Sequence, residues 1–306
     1  MAAASVMKGC SEMSRRVLIL GGTRFFGKKL VQYLIKNDDD VSIATRGKTN
    51  DDFGDSIRRF IIDRKSETDL MSLVNNGNWD IIYDNICYTP YDAQIAVRAF
   101  AGKARRYIFI STLSTYSADG AVKLESDFDP YHYRFDFGDY ENFSYADGKR
   151  AAEAVFYQQA NFPITAVRFP IVLGTDDYTK RLHFHVERVK NGQEIGVDNL
   201  DAKMCFITSD EAAELLFWIG NVALDGPVNA CSTNQLKIAE IFDIFEDIFG
   251  KKPIVTKSIT DENRSPFNVT DSWYMDTSKA RHAGFKFKNL HDWFPKLVAE
   301  LAKEGK

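Results

Sequence analysis

Two side chains that can move and steer a proton stand four residues apart in the segment Tyr145-Ala-Asp-Gly-Lys149. This spacing places Tyr145 and Lys149 on the same face of a helix. An unperturbed tyrosine has a pKa of about 10 and therefore exchanges its proton poorly at neutral pH. A lysine ammonium nearby favours the phenolate and lowers that pKa, which suits general acid–base catalysis. Because many helices contain this spacing by chance, the pattern needs support from other residues.

Hydroxyl side chains follow a run of apolar residues in the segment IFISTLSTYS, residues 108–117. The run predicts a strand, and Ser111, Thr112 and Ser114 come at its end. In open α/β sheets, ligands bind beyond the carboxyl ends of the strands. A hydroxyl group at that place can polarise the carbonyl or alcohol of a substrate beside Tyr145. The alternative is that these residues only close turns.

A glycine-rich turn lies between an apolar strand and a helix in VLILGGTRFFG, residues 17–27. Gly21 permits a tight turn, and Gly27 lets the helix pack closely against the strand. The backbone N–H groups at the start of the helix then bind a pyrophosphate group. The alternative is an ordinary strand–turn–helix that is rich in glycine. The predicted cofactor contacts in this turn are Gly21, Gly22, Thr23, Arg24, Phe25, Phe26 and Gly27.

Two arginines favour NADP over NAD as the cofactor. An acidic residue that binds the NAD ribose is expected after the second strand, but the sequence has Thr45 and Arg46 there. Arg24 replaces the middle glycine of the fingerprint, and Arg24 and Arg46 can converge on a 2′-phosphate. The alternative for Arg46 is a position along the surface. Asp63, at the end of the third strand, is placed either to accept from the adenine amine or to begin a turn or helix.

Short β-branched runs alternate with helical patterns in the first half of the chain, which predicts an α/β fold with a parallel sheet covered on both faces. After Pro170 the alternation loosens, which is typical of a smaller second lobe. The predicted strands are Arg16–Leu20, Val41–Ala44, Arg59–Ile62, Ile81–Asp84, Tyr107–Ile110, Ile164–Phe169 and Val228–Ala230. The predicted helices are Phe25–Asn37, Glu67–Asn75, Tyr91–Phe100, Tyr145–Gln159, Ser209–Gly220, Leu236–Phe249 and Leu290–Leu301.

The composition is that of a globular protein and argues against a general nucleic-acid-binding protein and against a membrane-spanning one. The 306 residues carry a net charge of −4, which gives no general basic surface for nucleic acid. No apolar run is long enough to cross a membrane. The cysteines (10, 87, 205 and 231) form no CxxC pair, which favours reduced thiols in a cytoplasmic protein. We expect a disordered leader at 1–14, a cofactor domain at 15–170 and a substrate lobe at 171–306, with some C-terminal segments returning to the first domain.

The order of motifs GGTRFFG, YDNICYTP, FISTLSTY, SYADGK and RFPIVLG resembles the extended and atypical short-chain dehydrogenase/reductases, the NAD-dependent epimerase/dehydratase group. The resemblance covers about residues 16–174 and continues more weakly to the C-terminus. It implies a Rossmann-type doubly wound parallel sheet, a smaller C-terminal α/β substrate lobe and a bound nicotinamide cofactor. It also implies Thr112 as the hydroxyl partner, Tyr145 as the acid/base, and Lys149 as the residue that lowers the tyrosine pKa and binds the nicotinamide ribose.

Further contacts follow from the same resemblance. Asn85, Tyr88 and Ser111 are expected near the cofactor, and Pro170 is expected to begin the substrate lobe beside the nicotinamide. A homodimer is implied, paired through the helices at 91–100 and 145–159. Within the acidic and aromatic stretch at 126–145, the loop Asp127–Phe143 matches no sugar-epimerase pattern, so the motifs do not identify the substrate.

The pair His183 and His185 in KRLHFHVERVK has a spacing that can bind a metal on a strand. No carboxylate or cysteine set nearby completes such a site, so we expect packing or substrate contact and no metal. Lys180 and Arg181, just before this pair, are candidates for holding a phosphate.

These observations predict an NAD(P)-dependent epimerase/dehydratase-like oxidoreductase that acts on a nucleotide sugar or a related alcohol or ketone. The alternative is a non-catalytic protein on the same scaffold that senses cofactor or binds RNA, because the atypical branch includes plastid proteins that bind stem-loop RNA. The net charge of −4 counts against RNA as a partner. The sequence leaves open whether the reaction is net redox, epimerisation or dehydration.

Overall fold

The computed structural model describes residues 14–75, 77–137, 141 and 143–303. The expected leader at 1–14 therefore lies outside the described residues, apart from Ser14. Residues 138–140 and 142 of the acidic and aromatic stretch also lie outside them.

The first half of the chain alternates strands and helices as the sequence predicts. Its β1 strand, RVLIL, has four residues with no exposed surface, because apolar side chains on both faces of a parallel sheet are covered by helices. The elements in chain order are β1 (Arg16–Leu20), α1 (Phe25–Lys36), β2 (Asp40–Thr45), β3 (Arg58–Ile61), α2 (Glu67–Val74), β4 (Ile81–Asp84), α3 (Pro90–Phe100), β5 (Tyr107–Thr112), β6 (Val122–Lys123), α4 (Tyr145–Gln159) and β7 (Ile164–Phe169).

The second half has shorter strands and is less regular. Its elements are β8 (Ile171–Leu173), α5 (Arg181–Asn191), β9 (Glu194–Gly196), β10 (Lys203–Met204), β11 (Phe206–Thr208), α6 (Ser209–Ile219), β12 (Gly226–Asn229), β13 (Leu236–Lys237), α7 (Ile238–Phe249), β14 (Ile254–Thr256), β15 (Tyr274–Met275), α8 (Ser278–His282) and α9 (Leu290–Lys303). None of the described helices is long and apolar enough to cross a membrane.

The central sheet is parallel, with the strand order β3-β2-β1-β4-β5-β7-β12. Val17 of β1 lies beside Val41 of β2 on one side and Ile81 of β4 on the other. The chain therefore leaves β1 in one direction and returns to the sheet on its other side at β4. This reversal opens a crevice beyond the carboxyl ends of β1 and β4. The predicted α/β fold with a doubly wound parallel sheet is confirmed.

Helices cover both faces of this sheet. The helices α1 and α6 pack on one face, and α2, α3 and α4 pack on the other. The helix α6 and the strand β12 both come from the second half of the chain. The strand β12 adds to the edge of the sheet beside β7, with Val228 opposite Val167. A separate apolar cluster lies between α5, α7 and α9, within residues 171–306, the part of the chain that the sequence predicts to be a second lobe.

The histidine pair of the second lobe lies on the helix α5 and not on a strand. Two residues apart on a helix point in different directions, so His183 and His185 cannot bind one metal ion together. His185 is buried, its ring stacks on Phe267 with centroids 4.2 Å apart, and its Nε2 lies 2.7 Å from the Ser265 hydroxyl oxygen. Burial lowers the pKa of His185 to about 4, so the ring is neutral at physiological pH. His185 is therefore a packing residue.

Residues 128–137, the aromatic segment, pack on the outer sides of α3 and α4. The Gln158 side-chain amide donates to the carbonyl oxygens of Pro130 and Tyr133, each at 2.9 Å. The rings of Tyr131 and Tyr157 have centroids 4.7 Å apart, and Phe137 contacts Tyr91 on α3 at 5.3 Å. With this segment in place, the residues at 151–156 of α4 are all buried within a single chain.

Candidate active site

The turn after β1 has a backbone conformation that favours glycine at two positions. Gly21 and Gly22 have φ values of +96° and +93°, in the region that favours glycine. A Cβ at Gly22 would lie 3.0 Å from Cγ2 of Ile19, and a Cβ at Gly27 would lie 3.2 Å from Cα of Gly22. The start of α1 is therefore as close to β1 as the backbone allows, which exposes its first N–H groups to the crevice.

A cavity of about 550 Å³, the cofactor cavity, opens beside this turn. It receives side chains from the ends of β1, β2, β3 and β4. Its lining residues include Gly21, Gly22, Thr23, Arg24, Phe25, Phe26, Gly27, Arg46, Lys48, Asp63, Arg64, Lys65, Asn85, Tyr88 and Tyr178. The glycine turn, Arg46, Asp63, Asn85 and Tyr88, which lie far apart in the sequence, are thus brought to one cavity.

Asn85 fits a dinucleotide better than it fits a purely structural role. Its Oδ1 and Nδ2 are both buried, and neither has a hydrogen-bond partner within the described part of the chain. A Cβ at Gly27 would lie 2.9 Å from Nδ2 of Asn85, so the amide stands directly over the glycine turn. A buried amide without partners is costly, and the hydroxyl and phosphate groups of a dinucleotide offer both donors and acceptors. The residues present therefore fit such a cofactor.

The cofactor cavity is rich in cations, among them Arg24, Arg46, Lys48, Arg64 and Lys65. The guanidinium of Arg64 is buried and pairs with Asp84 at 2.6 Å, which holds it at the end of β4. The guanidinium of Arg24 lies 5.7 Å from the ring centroid of Tyr178, a residue of the second lobe. The convergence of Arg24 and Arg46 on one phosphate stays a prediction.

Asp63 lines the cavity and also forms a turn. Its carboxylate accepts from the backbone N–H of Lys65 at 2.9 Å, and its own N–H donates to Asp69 at 2.7 Å. The turn alternative is therefore present in the structure, and the contact with adenine stays a prediction.

A second cavity of about 300 Å³, the substrate cavity, shares Phe25, Phe26, Asn85, Tyr88 and Tyr178 with the first. The two cavities therefore adjoin along one edge of the sheet. The other residues that line the substrate cavity are Ile110, Ser111, Thr112, Leu113, Ser114, Tyr145, Lys149, Phe169, Pro170, Ile171, Val172, Thr179, Arg181, Met204, Cys205 and Trp273.

The helix α4 places Tyr145 and Lys149 at this cavity in different surroundings. Tyr145 is the first residue of the helix and is 55% exposed, whereas Lys149 is 2% exposed. The Lys149 ammonium donates to the carbonyl oxygens of Cys87 at 2.6 Å and Ile110 at 2.7 Å. Its Nζ lies 4.7 Å from the ring centroid of Tyr88 and 6.0 Å from that of Tyr145. A charge is thus held beneath two tyrosine rings.

The hydroxyl groups of Thr112 and Ser111 at the end of β5 have different surroundings. Thr112 accepts from the backbone N–H of Ser114 at 3.1 Å and lines the substrate cavity near Tyr145. Ser111 donates to the carboxylate of Glu153, which pairs with Arg168 at 2.6 Å, both fully buried. The Ser111 hydroxyl therefore already has a partner within the protein. Sequence reasoning missed Glu153, which could have been found because it comes four residues after Lys149, on the same face of the helix.

Comparisons with known proteins show what the chain is similar to in sequence and in fold. No family model matches the chain. The chloroplast stem-loop binding protein of 41 kDa b from Arabidopsis thaliana is 26% identical over 248 residues, which are 71% of this chain and 62% of that protein. The chain thus matches less than two thirds of the length of this curated relative.

Solved structures match over nearly the whole chain. The UDP-glucose 4-epimerase of Thermus thermophilus, in complex with NAD, has a TM-score of 0.71 at 16% identity and covers 95% of this chain and 100% of its own. The UDP-glucuronic acid 4-epimerase of Bacillus cereus has a TM-score of 0.72 at 17% identity, with the same coverage. The UDP-N-acetylglucosamine 4-epimerase of Methanobrevibacter ruminantium has a TM-score of 0.69 at 18% identity, and the match covers 95% of this chain and 97% of that one.

The chain has the fold of these epimerases. This confirms the Rossmann-type doubly wound parallel sheet that the resemblance implies. At such identities the likeness establishes the fold, whereas the reaction has to be argued from the site.

Gly148 lets α4 approach the turn that carries Tyr88, and we expect Gly148→Ala to destabilise the protein. In an exposed helix this change stabilises by up to about 1 kcal/mol. Here the added Cβ would overlap the carbonyl oxygen of Tyr88 and push the turn away from Lys149. We expect a loss of about 1–3 kcal/mol in the free energy of unfolding, measured with urea.

Ala146→Gly in the same helical turn calibrates this measurement, because it removes a Cβ and should cost no more than about 1 kcal/mol. A Gly148→Ala protein that is more stable than the unmodified chain would contradict the close approach.

Proposed function

We propose that the chain is an NAD(P)-dependent oxidoreductase of the epimerase/dehydratase kind that acts on an alcohol or ketone. The observation that carries the proposal is the juxtaposition of Thr112, Tyr145 and Lys149 at a cavity that adjoins the glycine-turn cavity. The structural neighbours named above are epimerases of UDP sugars, which supports a small-molecule substrate. A nucleotide sugar is the substrate class that this likeness suggests.

The positions of the residues support the following roles. A nicotinamide, when bound, would supply or accept a hydride at the substrate carbon. The Tyr145 phenol gives or takes the proton at the substrate oxygen, and the Thr112 hydroxyl donates a hydrogen bond to the same oxygen. The Lys149 ammonium stabilises the phenolate through its charge. Two of its three N–H groups are held by carbonyls, which leaves the third for a ribose hydroxyl.

Replacement of Tyr145 by Phe is expected to reduce kcat by about 10²–10⁴, because the variant keeps the ring and loses the proton donor. The measurement is NADPH consumption or sugar interconversion with an authentic substrate. Tyr131→Phe is the matched control, since Tyr131 lies on the aromatic segment outside both cavities. An unchanged kcat in Tyr145→Phe would remove the assigned acid/base role.

NADP is proposed over NAD because the cofactor cavity gathers cations around the end of β2, where Arg46 lies. We expect Arg46→Ala to weaken NADPH binding by roughly 10-fold and to leave NADH binding nearly unchanged, since the lost partner is the 2′-phosphate. Fluorescence titration of each cofactor measures this. Arg105→Ala is the control, because that side chain is 83% exposed and lines neither cavity. Equal losses for both cofactors would contradict the preference.

The remaining assignments stay predictions. They are the cofactor contacts of the glycine turn and of Asp63, Asn85, Tyr88, Ser111 and Pro170, the division of the chain into domains at residue 170, and the cytoplasmic location. The positions of the glycine turn, Asp63 and Asn85 around one cavity support the first of these.

A homodimer is proposed with the aromatic segment as part of the contact, because this segment covers the two helices through which the resemblance implies pairing. Tyr131 on the segment is 50% exposed. We expect light scattering to give twice the chain mass of 34.8 kDa and Tyr131→Asp to shift the population toward single chains. Met71→Asp is the control, since Met71 is 46% exposed on α2. A single-chain mass for the unmodified protein would rule the dimer out.

A non-catalytic role is the second candidate. It is supported by the curated relative, whose name describes stem-loop binding. The net charge of −4 argues against RNA, because phosphate contacts dominate such affinity. Tight cofactor binding without turnover of any alcohol or ketone would favour this candidate over the enzyme.

A further inference from the structure

The two adjoining cavities differ sharply in charge. The cofactor cavity is lined by several arginines and lysines, whereas Lys149 and Arg181 are the only ones among the described residues that line the substrate cavity. Residues 138–140 and 142, which precede Tyr145, contain no lysine or arginine in the sequence. The Lys149 ammonium already donates to two carbonyl oxygens. Among the described residues that line the substrate cavity, Arg181 is therefore the cation left for an anionic substrate group.

Arg181 is held in place by its neighbours at the start of α5. Its backbone N–H donates to the buried carboxylate of Asp177 at 3.2 Å. The Thr179 hydroxyl donates to the same carboxylate at 2.5 Å and accepts from Nη1 of Arg181 at 3.0 Å. The Thr179 oxygen thus positions one edge of the guanidinium. The planar fork of an arginine can then bind one carboxylate through two parallel hydrogen bonds.

Part of the lining of the substrate cavity is apolar. Met204, Cys205 and Trp273 belong to this part, and Trp273 pairs with Met204 through a backbone bridge. The indole Nε1 of Trp273 is buried and has no partner within the described residues. A buried N–H is costly when unpaired, and an acceptor atom on a ligand bound beside Trp273 would remove that cost once the ring adjusts.

A nucleoside diphosphate does not suit such a cavity. Its diphosphate carries at least two negative charges, and burying them requires several cations or donors. The volume of the substrate cavity, about 300 Å³, is also at the lower end of the range of volumes found for ligand pockets.

We propose that the substrate is a compact keto or hydroxy carboxylate with an apolar body, in place of the nucleotide sugar that the likeness to the epimerases suggests. Its single carboxylate binds Arg181, and an acceptor atom on it receives the Trp273 N–H. The inference rests on the proposed function, because Tyr145 and Thr112 are assumed to face the reacting carbon–oxygen bond. Arg181 and Trp273 are then the residues that determine specificity.

The experiment begins with a titration of NADPH, because failure of that step would refute the proposed function and not this inference. Chain saturated with NADP⁺ is then titrated calorimetrically with 4-oxocyclohexanecarboxylate, its uncharged methyl ester and UDP-glucose. We expect the carboxylate to bind, the ester to bind about 10-fold more weakly, and UDP-glucose to give no heat at roughly millimolar concentration.

Variants assign the binding to these residues. Arg181→Met should weaken carboxylate binding by about 10-fold and leave ester binding unchanged, and Arg181→Lys should recover part of the loss. Trp273→Phe should weaken both ligands by about fivefold and abolish any quenching of tryptophan fluorescence. Arg105→Met and Trp218→Phe are the controls, since neither residue lines the cofactor cavity or the substrate cavity. Thermal unfolding checks that each variant is folded.

Three results would overturn the inference. They are UDP-glucose binding that Arg181→Met abolishes, carboxylate binding that neither variant weakens, and no binding of either compound to the NADP-loaded chain.

Discussion

The site depends on a buried ammonium. Lys149 carries a charge into the protein interior, which is tolerated only when the charge is paired or hydrogen-bonded. The carbonyl oxygens of Cys87 and Ile110 accept two of its three N–H groups, and they belong to the turn after β4 and to β5. The helix α4 is thereby fixed against two neighbouring strands at the point where the sheet opens. The position of Tyr145, one turn earlier, follows from this anchoring.

A second buried charged residue, Glu153, also fixes the position of α4. Glu153 comes four residues after Lys149 and pairs with Arg168 of β7, which also donates to the carbonyl oxygens of Glu125 and Phe128. Such a pair adds little net stability, because both ions lose their hydration. It does oppose rotation or sliding of α4, since either movement would leave a charge unpaired. The segment that leads from β5 into the aromatic segment is tied to the same pair.

The sequence predicted those features that are encoded locally. The apolar runs of β1, β4 and β7 and the helix at 145–159 were predicted with the observed bounds, because period and turn residues lie within each segment. The glycine turn was predicted for the same reason. A strand at Val228–Ala230 was predicted, but its pairing with β7 was not, and neither was the packing of the aromatic segment on α4, since both depend on contacts between residues that are far apart in the chain. Likewise, only the structure shows that the side-chain amide of Asn85 has no hydrogen-bond partner among the described residues.

Fold and substrate are specified by different parts of this molecule. The doubly wound sheet and the α4 anchoring are built from buried groups, and the fold is shared with epimerases at under 20% identity. The charge of the substrate cavity is set by side chains on its rim and wall, which can change without affecting the sheet. A wall of Met204, Cys205 and Trp273 offers van der Waals contact and one N–H, where a diphosphate would need cations. The same scaffold can therefore retain a strongly cationic cofactor cavity while its substrate cavity selects for a different and less charged ligand.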